Sequence, residues 1–301
     1  MECECGRKAV IETRYNRKKL CDRCFVEMYE KRVWRTIRYN SLLEKSDRIL
    51  VGVSGGKDSL AVLHFLAQNH FDVTAITLDE GIAGYREKTL DAVEDYCQQN
   101  SIPLIVVPFK EAYGSTVDEA VRKGEHPCSV CGVFRRDLLN SKASELGFTK
   151  VATGHNLDDE VQAMLMNLLR SELPRLARCA PGFEEVDGFV PRVKPLRECP
   201  ERENIAYAFL NKLPYSDAEC PYSKSGFRAA VRDALNGIEE KHPGSKQALL
   251  KNFDELTTIL RKEYAGKPFR TCARCGGPCA GDTCKACEFR EKLGEPISLL
   301  G

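Results

Sequence analysis

The stretch LVGVSGGKDSLAVLHFL, residues 50 to 66, constrains the fold more than any other part of the chain. An apolar run of strand character ends in two glycines, and an apolar stretch of helical period follows. Between them, Ser54-Gly55-Gly56-Lys57-Asp58-Ser59 gathers backbone N–H groups, the positive end of a helix and two hydroxyls at one point. Such a turn cradles phosphate. The plainer reading is a glycine turn joining strand to helix, but the strand before it and the helix after it are the context a phosphate loop requires. Its spacing is shorter than that of the P-loop, which sets four residues between the first glycine and Gly-Lys-Ser/Thr.

Further strand-like runs at 73–78, 104–109 and 150–153 alternate with helix-length stretches at 59–69, 86–100 and 130–146. This pattern predicts an α/β fold over residues 46–215, a doubly wound parallel sheet covered on both faces. Ligands of such sheets sit at the carboxyl ends of the strands, where the glycine turn, Leu78-Asp79 and Gly154-His155 should meet. Amphipathic stretches at 226–241 and 245–264 make a helical extension over 216–267. Cys-rich modules occupy 1–30 and 268–301, and a basic helix near 27–43 supplies the linker at 31–45.

No apolar run approaches the roughly 18 residues that cross a bilayer, and MECECGRKAV lacks the apolar segment of a signal peptide. A soluble cytoplasmic protein with no membrane association is expected. Its 15 cysteines therefore point away from a disulfide scaffold and towards metal binding or sulfur chemistry. Cys272-x-x-Cys275 and Cys284-x-x-Cys287, eight residues apart, have the spacing of a zinc ribbon. Cys3-x-Cys5 with Cys21-x-x-Cys24 makes a second quartet. Four protein ligands leave no open position, so two structural Zn²⁺ ions are expected, with Cys279 a spare. Within the sheet domain, HPCSVCGVFRR holds a lone pair, Cys128-x-x-Cys131. That pair suits a redox dithiol, half a zinc site or part of an iron–sulfur site, with Cys179, Cys199 or Cys220 available as a third ligand.

The acids of TGHNLDDE, Asp158 and Asp159, stand at the start of a helix, where they either bind Mg²⁺ and position a reacting group or cap the helix. The whole chain carries a net charge of +1, yet residues 7 to 38 hold eleven basic side chains against four acidic ones. A basic surface there suits an RNA backbone, with a solvated helix face as the ordinary alternative.

Taken as a set, SGGKDS, HPCSVCG, TGHNLDDE, ECPYS and the two terminal cysteine modules resemble the tRNA 2-thiouridine synthetases of the TtuA and Ncs6/NcsA/Ctu1 group, within the PP-loop ATP pyrophosphatases. The resemblance covers essentially the whole chain. It implies an ATP-dependent tRNA sulfurtransferase that adenylates the C2 oxygen of a tRNA uridine and then delivers sulfur from a [4Fe–4S] cluster with one open iron. The cluster ligands would be Cys128, Cys131 and Cys220, and the ATP contacts Gly52, Val53, Ser54, Asp58, Leu78, Arg135 and Gly154. Gly55, Gly56, Lys57 and Ser59 complete the phosphate loop, with Mg²⁺ bound beside it. Asp58, Arg135 and Asp159 match catalytic positions, Asp159 as the acid; Arg135 is lysine in some relatives, which leaves it charge stabilisation. The N-terminal C-x-C departs from the C-x-x-C usual in the group. CGVFRR, NLLRSELPRLAR and FRAAVRDALN resemble the wobble-uridine branch more than the T-loop branch. The resemblance further implies a homodimer and a sulfide, persulfide or ubiquitin-like thiocarboxylate as sulfur donor. A PP-loop ligase or thiolase acting on a small molecule would use the same turn without needing two metal modules. A zinc-ribbon nucleic-acid-binding scaffold would not need an intact SGGKDS.

Overall fold

The computed structural model describes residues 2–179, 187–223, 226–264 and 269–294, so the expected boundary at 267/268 lies outside the described residues. A hairpin of β1 (Ile11–Thr13) and β2 (Lys18–Leu20) leads into α1 (Asp22–Tyr39). Helix α1 starts inside the Cys-rich module and runs on across residue 30 as one continuous element. The central strands are β3 (Arg48–Gly52), β4 (Asp72–Asp79), β5 (Leu104–Pro108), β6 (Lys150–Thr153) and β7 (Arg192–Val193). All run parallel in the order β5-β4-β3-β6-β7. The two-residue β7 is too short to carry a periodicity, and the sequence reading did not include it.

Between strands lie α2 (Lys57–Gln68), α3 (Arg86–Gln99), α4 (Phe109–Tyr113), α5 (Val117–Arg122) and α6 (Pro127–Glu145). After β6 come α7 (Leu157–Leu169), α8 (Leu173–Ala177), α9 (Glu201–Leu210), α10 (Phe227–Lys241) and α11 (Ser245–Tyr264). A second hairpin, β8 (Arg270–Thr271) with β9 (Pro278–Cys279), precedes α12 (Lys285–Lys292).

The two-residue period of β3 divides the core. Ile49 and Val51 pack with Phe25 and Tyr29 of α1, Leu63 of α2 and Tyr207 of α9, whereas Leu50 packs with Phe134 and Leu138 of α6 on the other face. A third cluster joins α7 and α8 to α10 and α11 through Val161, Met164, Leu176, Leu235 and Phe253. Gly52 at the end of β3 is paired with Ile76 on one side and Thr153 on the other, which brings the loops after β3, β4 and β6 to one edge. No helix among the described residues is long and apolar enough to cross a membrane.

Candidate active site

A cleft of about 380 Å³ opens at that edge, within the range of small-molecule sites. It is lined by Gly52, Val53, Ser54, Asp58, Ser59, Leu78, Arg135, Gly154 and Asp159, so nine of the expected site residues meet in one place. The phosphate turn takes its shape from two glycines. Gly55 has φ +85°, and a Cβ there would sit 2.2 Å from the Thr89 carbonyl oxygen. Gly56 caps α2 without a side-chain hydrogen bond, leaving the first amide donors of the helix free for phosphate oxygens. The Ser59 hydroxyl accepts from the Ser54 N–H at 3.1 Å and lies 3.2 Å from the Ser54 hydroxyl, which aims both into the cleft. Gly154 packs on this turn so closely that a Cβ would approach the Asp58 carbonyl to 2.7 Å. Lys57 does not line the cleft: its ammonium meets Glu201 at 2.8 Å and Asp58 at 3.3 Å. Burial works against that charge, yet the two carboxylates outweigh it and raise the Lys57 pKa.

Asp58 is pushed up by burial, and the positive charge of Lys57 and two amide donors partly restore its ionised form. Asn156 donates to Asp58 Oδ1 at 3.1 Å and Asn204 donates to the same oxygen at 2.6 Å. The fully buried Tyr29 hydroxyl donates to Asn204 Oδ1 at 2.7 Å, which fixes the Asn204 amide with its NH₂ towards Asp58.

The adjacent acids of α7 diverge. Asp159 closes a capping box with Asn156, faces the cleft, and has its pKa raised to about 6 by burial, with the Asp58 charge adding to the effect. Capping the helix thus leaves this residue still facing the cleft. Asp158 points the opposite way, accepts from the Glu201 N–H at 2.8 Å and pairs with Lys246, so it belongs to the packing of α9 and α11. The paired-acid site for Mg²⁺ is corrected accordingly: Asp159 and Asp58 face the cleft, and Asp158 does not.

Glu80 and Arg86 were absent from the sequence reading. The buried Glu80 carboxylate holds Arg135 at 2.5 Å and Arg86 at 3.1 Å, and Arg86 donates to the Ser54 carbonyl at 2.9 Å. One brace thus fixes Arg135 and the phosphate turn together. Burial disfavours the Arg135 charge, but Glu80 outweighs it and holds the guanidinium pKa above its ordinary value. The signal available was position, because Glu80 follows the carboxyl end of β4 directly.

Cys131 lies on α6 one turn before Arg135, and Cys128 one turn before Cys131. Cys220 joins them from the segment after α9: the Cys128 thiol is 3.9 Å from the Tyr222 carbonyl, and the Cys128 and Cys131 charges both bear on Cys220 or it on them. Burial pushes Cys131 up to about 11. The other candidates lie elsewhere, Cys199 fully buried in the core beside Tyr29 and Cys179 against Asn167. This trio is more open than the terminal quartets, which among the described residues alone bring their ligand atoms within 4.8 Å of one another. A single ion needs near-touching ligands, whereas a four-iron cube spreads its thiolates over separate corners.

The two terminal modules repeat one design, each with a hairpin and a C-x-x-C that straddles a helix start, Cys21 capping α1 and Cys284 capping α12. Their sulfur separations, 3.6 Å for Cys5–Cys21 and 3.7 Å for Cys275–Cys284, match the roughly 3.8 Å edge of a tetrahedron with Zn–S bonds of about 2.3 Å. The N-terminal C-x-C is no obstacle to that geometry. Backbone N–H groups of Cys5 and Cys21 draw Cys3 down to about 6; at Cys272 burial opposes, yet N–H groups of Cys275, Cys284 and Arg274 bring it to about 6 as well. None of the 15 cysteines forms a disulfide.

The basic stretch is less free than its composition implies. Arg32 is buried against Glu203 at 2.5 Å and reaches the Tyr15 hydroxyl, so it holds α1 to α9. Arg35 meets Glu198 at 2.7 Å from an exposed position, and Arg38 lies over the Trp34 ring at 5.3 Å. Arg32 of this basic stretch is thus half-buried and spent on packing rather than facing RNA.

Residues 27–238 match the PP-loop domain family. The chain is 38% identical to the tRNA 2-thiolation protein NcsA of Haloferax volcanii, covering 97% of this chain and 99% of that protein. It is 37% identical to the tRNA-5-methyluridine(54) 2-sulfurtransferase of Pyrococcus horikoshii, covering 96% and 93%. Among solved structures, the U34-tRNA thiolase NcsA from Methanococcus maripaludis, with its [4Fe–4S] cluster, superimposes with a TM-score of 0.86 at 32% identity over 99% of this chain and 98% of that one.

Proposed function

The chain belongs to the PP-loop family of tRNA 2-thiolation proteins, and from that premise we propose that it thiolates the wobble uridine of the anticodon with the residues of this one cleft. It is an ATP-dependent tRNA sulfurtransferase. The observation that carries the reading is a cleft lined by the SGGKDS turn and the Glu80-held Arg135, with Cys131 one turn from Arg135 on α6 and Cys128 and Cys220 grouped beside it.

A uridine C2 oxygen is a poor leaving group, so it is first converted to an adenylate. The turn amides and the Ser54 and Ser59 hydroxyls would hold the ATP phosphates, Leu78 and Gly52 would bound the adenine, and Asp58 would hold Mg²⁺. Arg135 offsets the charge that builds at the α-phosphorus. As the uridine O2 attacks and the bond to pyrophosphate breaks, the N3 proton passes to ionised Asp159, whose pKa near 6 suits exchange near neutrality. Sulfur then takes the place of AMP at C2, and Asp159 returns the proton to N3. Cys128, Cys131 and Cys220 would hold a [4Fe–4S] cluster, which would supply Lewis-acidic iron able to carry sulfur. The more open spacing of these three thiols than of the quartets supports that group over a single zinc, and the quartets themselves fit structural Zn²⁺.

The wobble position is supported by the CGVFRR, NLLRSELPRLAR and FRAAVRDALN segments, and a T-loop target by the Pyrococcus relative. Nuclease digestion and mass spectrometry of tRNA after an anaerobic reaction with ATP and sulfide separates them: sulfur at position 34 is expected, and sulfur at position 54 overturns the choice of branch. The reducing compartment implied by 15 unpaired cysteines supports a cytoplasmic protein. Action as a homodimer, and a donor of the sulfide, persulfide or thiocarboxylate kind, rest on the family resemblance.

A further inference from the structure

Arg136 and Arg192 line the far side of the cleft from the phosphate turn. Arg192 stands on the edge strand β7, two strands or about 10 Å from β3, which delivers the turn. Its strand neighbour Val193 is buried in the core, so the alternation of β7 sends Arg192 to the face covered by α6, where Arg136 lies. Gly132, one turn before Arg136, gives its guanidinium room over the helix, since a Cβ at that glycine would sit 3.3 Å from Nη1.

What sets these two apart is their lack of a partner. Arginines less exposed than these are matched: Arg32 with Glu203, Arg86 and Arg135 with Glu80, Arg197 with Asp254. Among the described residues, Arg136 and Arg192 form no hydrogen bond and no ion pair with any carboxylate, although both are accessible from the cleft. Glu160, the acid whose charge bears on Arg192, is already held by Lys194 at 2.6 Å. Both residues are exposed to solvent, and packed neighbours followed by like charge, Arg136 for Arg192 and Arg175 for Arg136, lower their pKa values. Two exposed guanidinium groups on one wall of the cleft, neither matched by a carboxylate among the described residues, suit an anion with several acceptor oxygens.

We propose that Arg136 and Arg192 clamp a backbone phosphodiester of the tRNA beside the target uridine. The inference rests on the thiolation reading and adds to it the point at which the RNA strand enters. Phosphate is the shared chemistry of the two anions that reach this cleft, RNA and ATP. The nucleotide's phosphates already have the turn, the start of α2 and Ser54 and Ser59, which leaves the β7 side to the strand that carries the uridine. Holding the phosphate next to a base positions that base without reading its sequence.

The test uses full-length protein with R136Q, R192Q and the double variant. Binding of an unmodified tRNA transcript is measured by fluorescence anisotropy over a salt series, and ATP binding by equilibrium dialysis. The double variant should bind tRNA about tenfold more weakly at 0.1 M salt with its log–log salt slope lower by about 0.7 to 0.9, the loss of one phosphate contact, and ATP affinity should stay within twofold. Because both side chains are accessible, unchanged ATP affinity also reports an intact fold. If wild-type protein binds ATP and not tRNA, the thiolation reading itself fails. If wild type binds tRNA and the double variant keeps both affinity and slope, only the clamp is overturned. Weaker ATP binding with unchanged tRNA binding assigns the arginines to the nucleotide, and a loss of iron per chain after anaerobic reconstitution assigns them to the thiol trio; either result refutes the clamp.

Discussion

Replacing Asn204 by alanine removes the shorter of the two amide contacts to Asp58, at 2.6 Å. The Asp58 carboxylate is already disfavoured by burial, so this donor is part of what keeps it ionised. A hydrogen bond to a charged group is worth about 1.5–3 kcal/mol, which corresponds to a bias of roughly 10- to 100-fold against the ionised form. The sign follows from the direction of the shift. A carboxyl group pushed up loses its charge as pH falls, and losing a donor moves that loss to higher pH. The rate of tRNA-dependent pyrophosphate release in N204A should match wild type on the alkaline side and fall about 10- to 100-fold below it on the acid side. Y29F leaves the Asn204 carbonyl oxygen without the Tyr29 donor and should give a smaller displacement of the same limb. An N204A protein that binds ATP normally and shows an unmoved acid limb would refute the reasoning, because Asp58 would then owe its ionisation to Lys57 and Asn156 alone.

Other consequences can be checked separately. D58A and S54A should abolish pyrophosphate release and leave tRNA affinity nearly intact, since both residues face the nucleotide. D159N should lower the rate by about 10²- to 10⁴-fold and remove the fall in rate as pH drops through about 6. R32A breaks the buried pair with Glu203 and should lower unfolding stability by about 3–5 kcal/mol in urea without changing the salt slope of tRNA binding; a changed slope at full stability would return Arg32 to the RNA surface. Under anaerobic reconstitution C220S should lose or convert the cluster, while C179S and C199S keep it, as iron and sulfide content will report.

The parts of this site that sequence reveals are those whose chemistry is local. The SGGKDS turn, the two C-x-x-C knuckles at helix starts and the Cys128–Arg135 face of α6 each lie within a few residues of chain, and their spacing alone places them. The brace behind them is not local. Glu80, Arg86, Asn204 and Tyr29 come from four elements and act only because the sheet order brings α9 and α1 behind the turn. Neighbouring residues also divide in ways that no pattern foretells: Asp158 and Asp159 share a helix start, and a rotation of one residue sends one to Lys246 and the other to the cleft. Arg32 looked like a surface charge because arginines on amphipathic helices usually are, and only the long-range contact with Glu203 ties it into the packing of α1 on α9.

The most direct measurement follows pyrophosphate, AMP and thiouridine together in one anaerobic reaction of reconstituted protein with ATP, sulfide and unmodified tRNA. Wild-type protein should release pyrophosphate only when tRNA is present and form one AMP for each thiouridine. C220S, with the nucleotide side intact, should still release pyrophosphate in response to tRNA and make no thiouridine. Pyrophosphate release without tRNA, or thiouridine made by C220S at the wild-type rate, would contradict an activation carried out in the cleft and a sulfur delivery carried out at the thiols beside it.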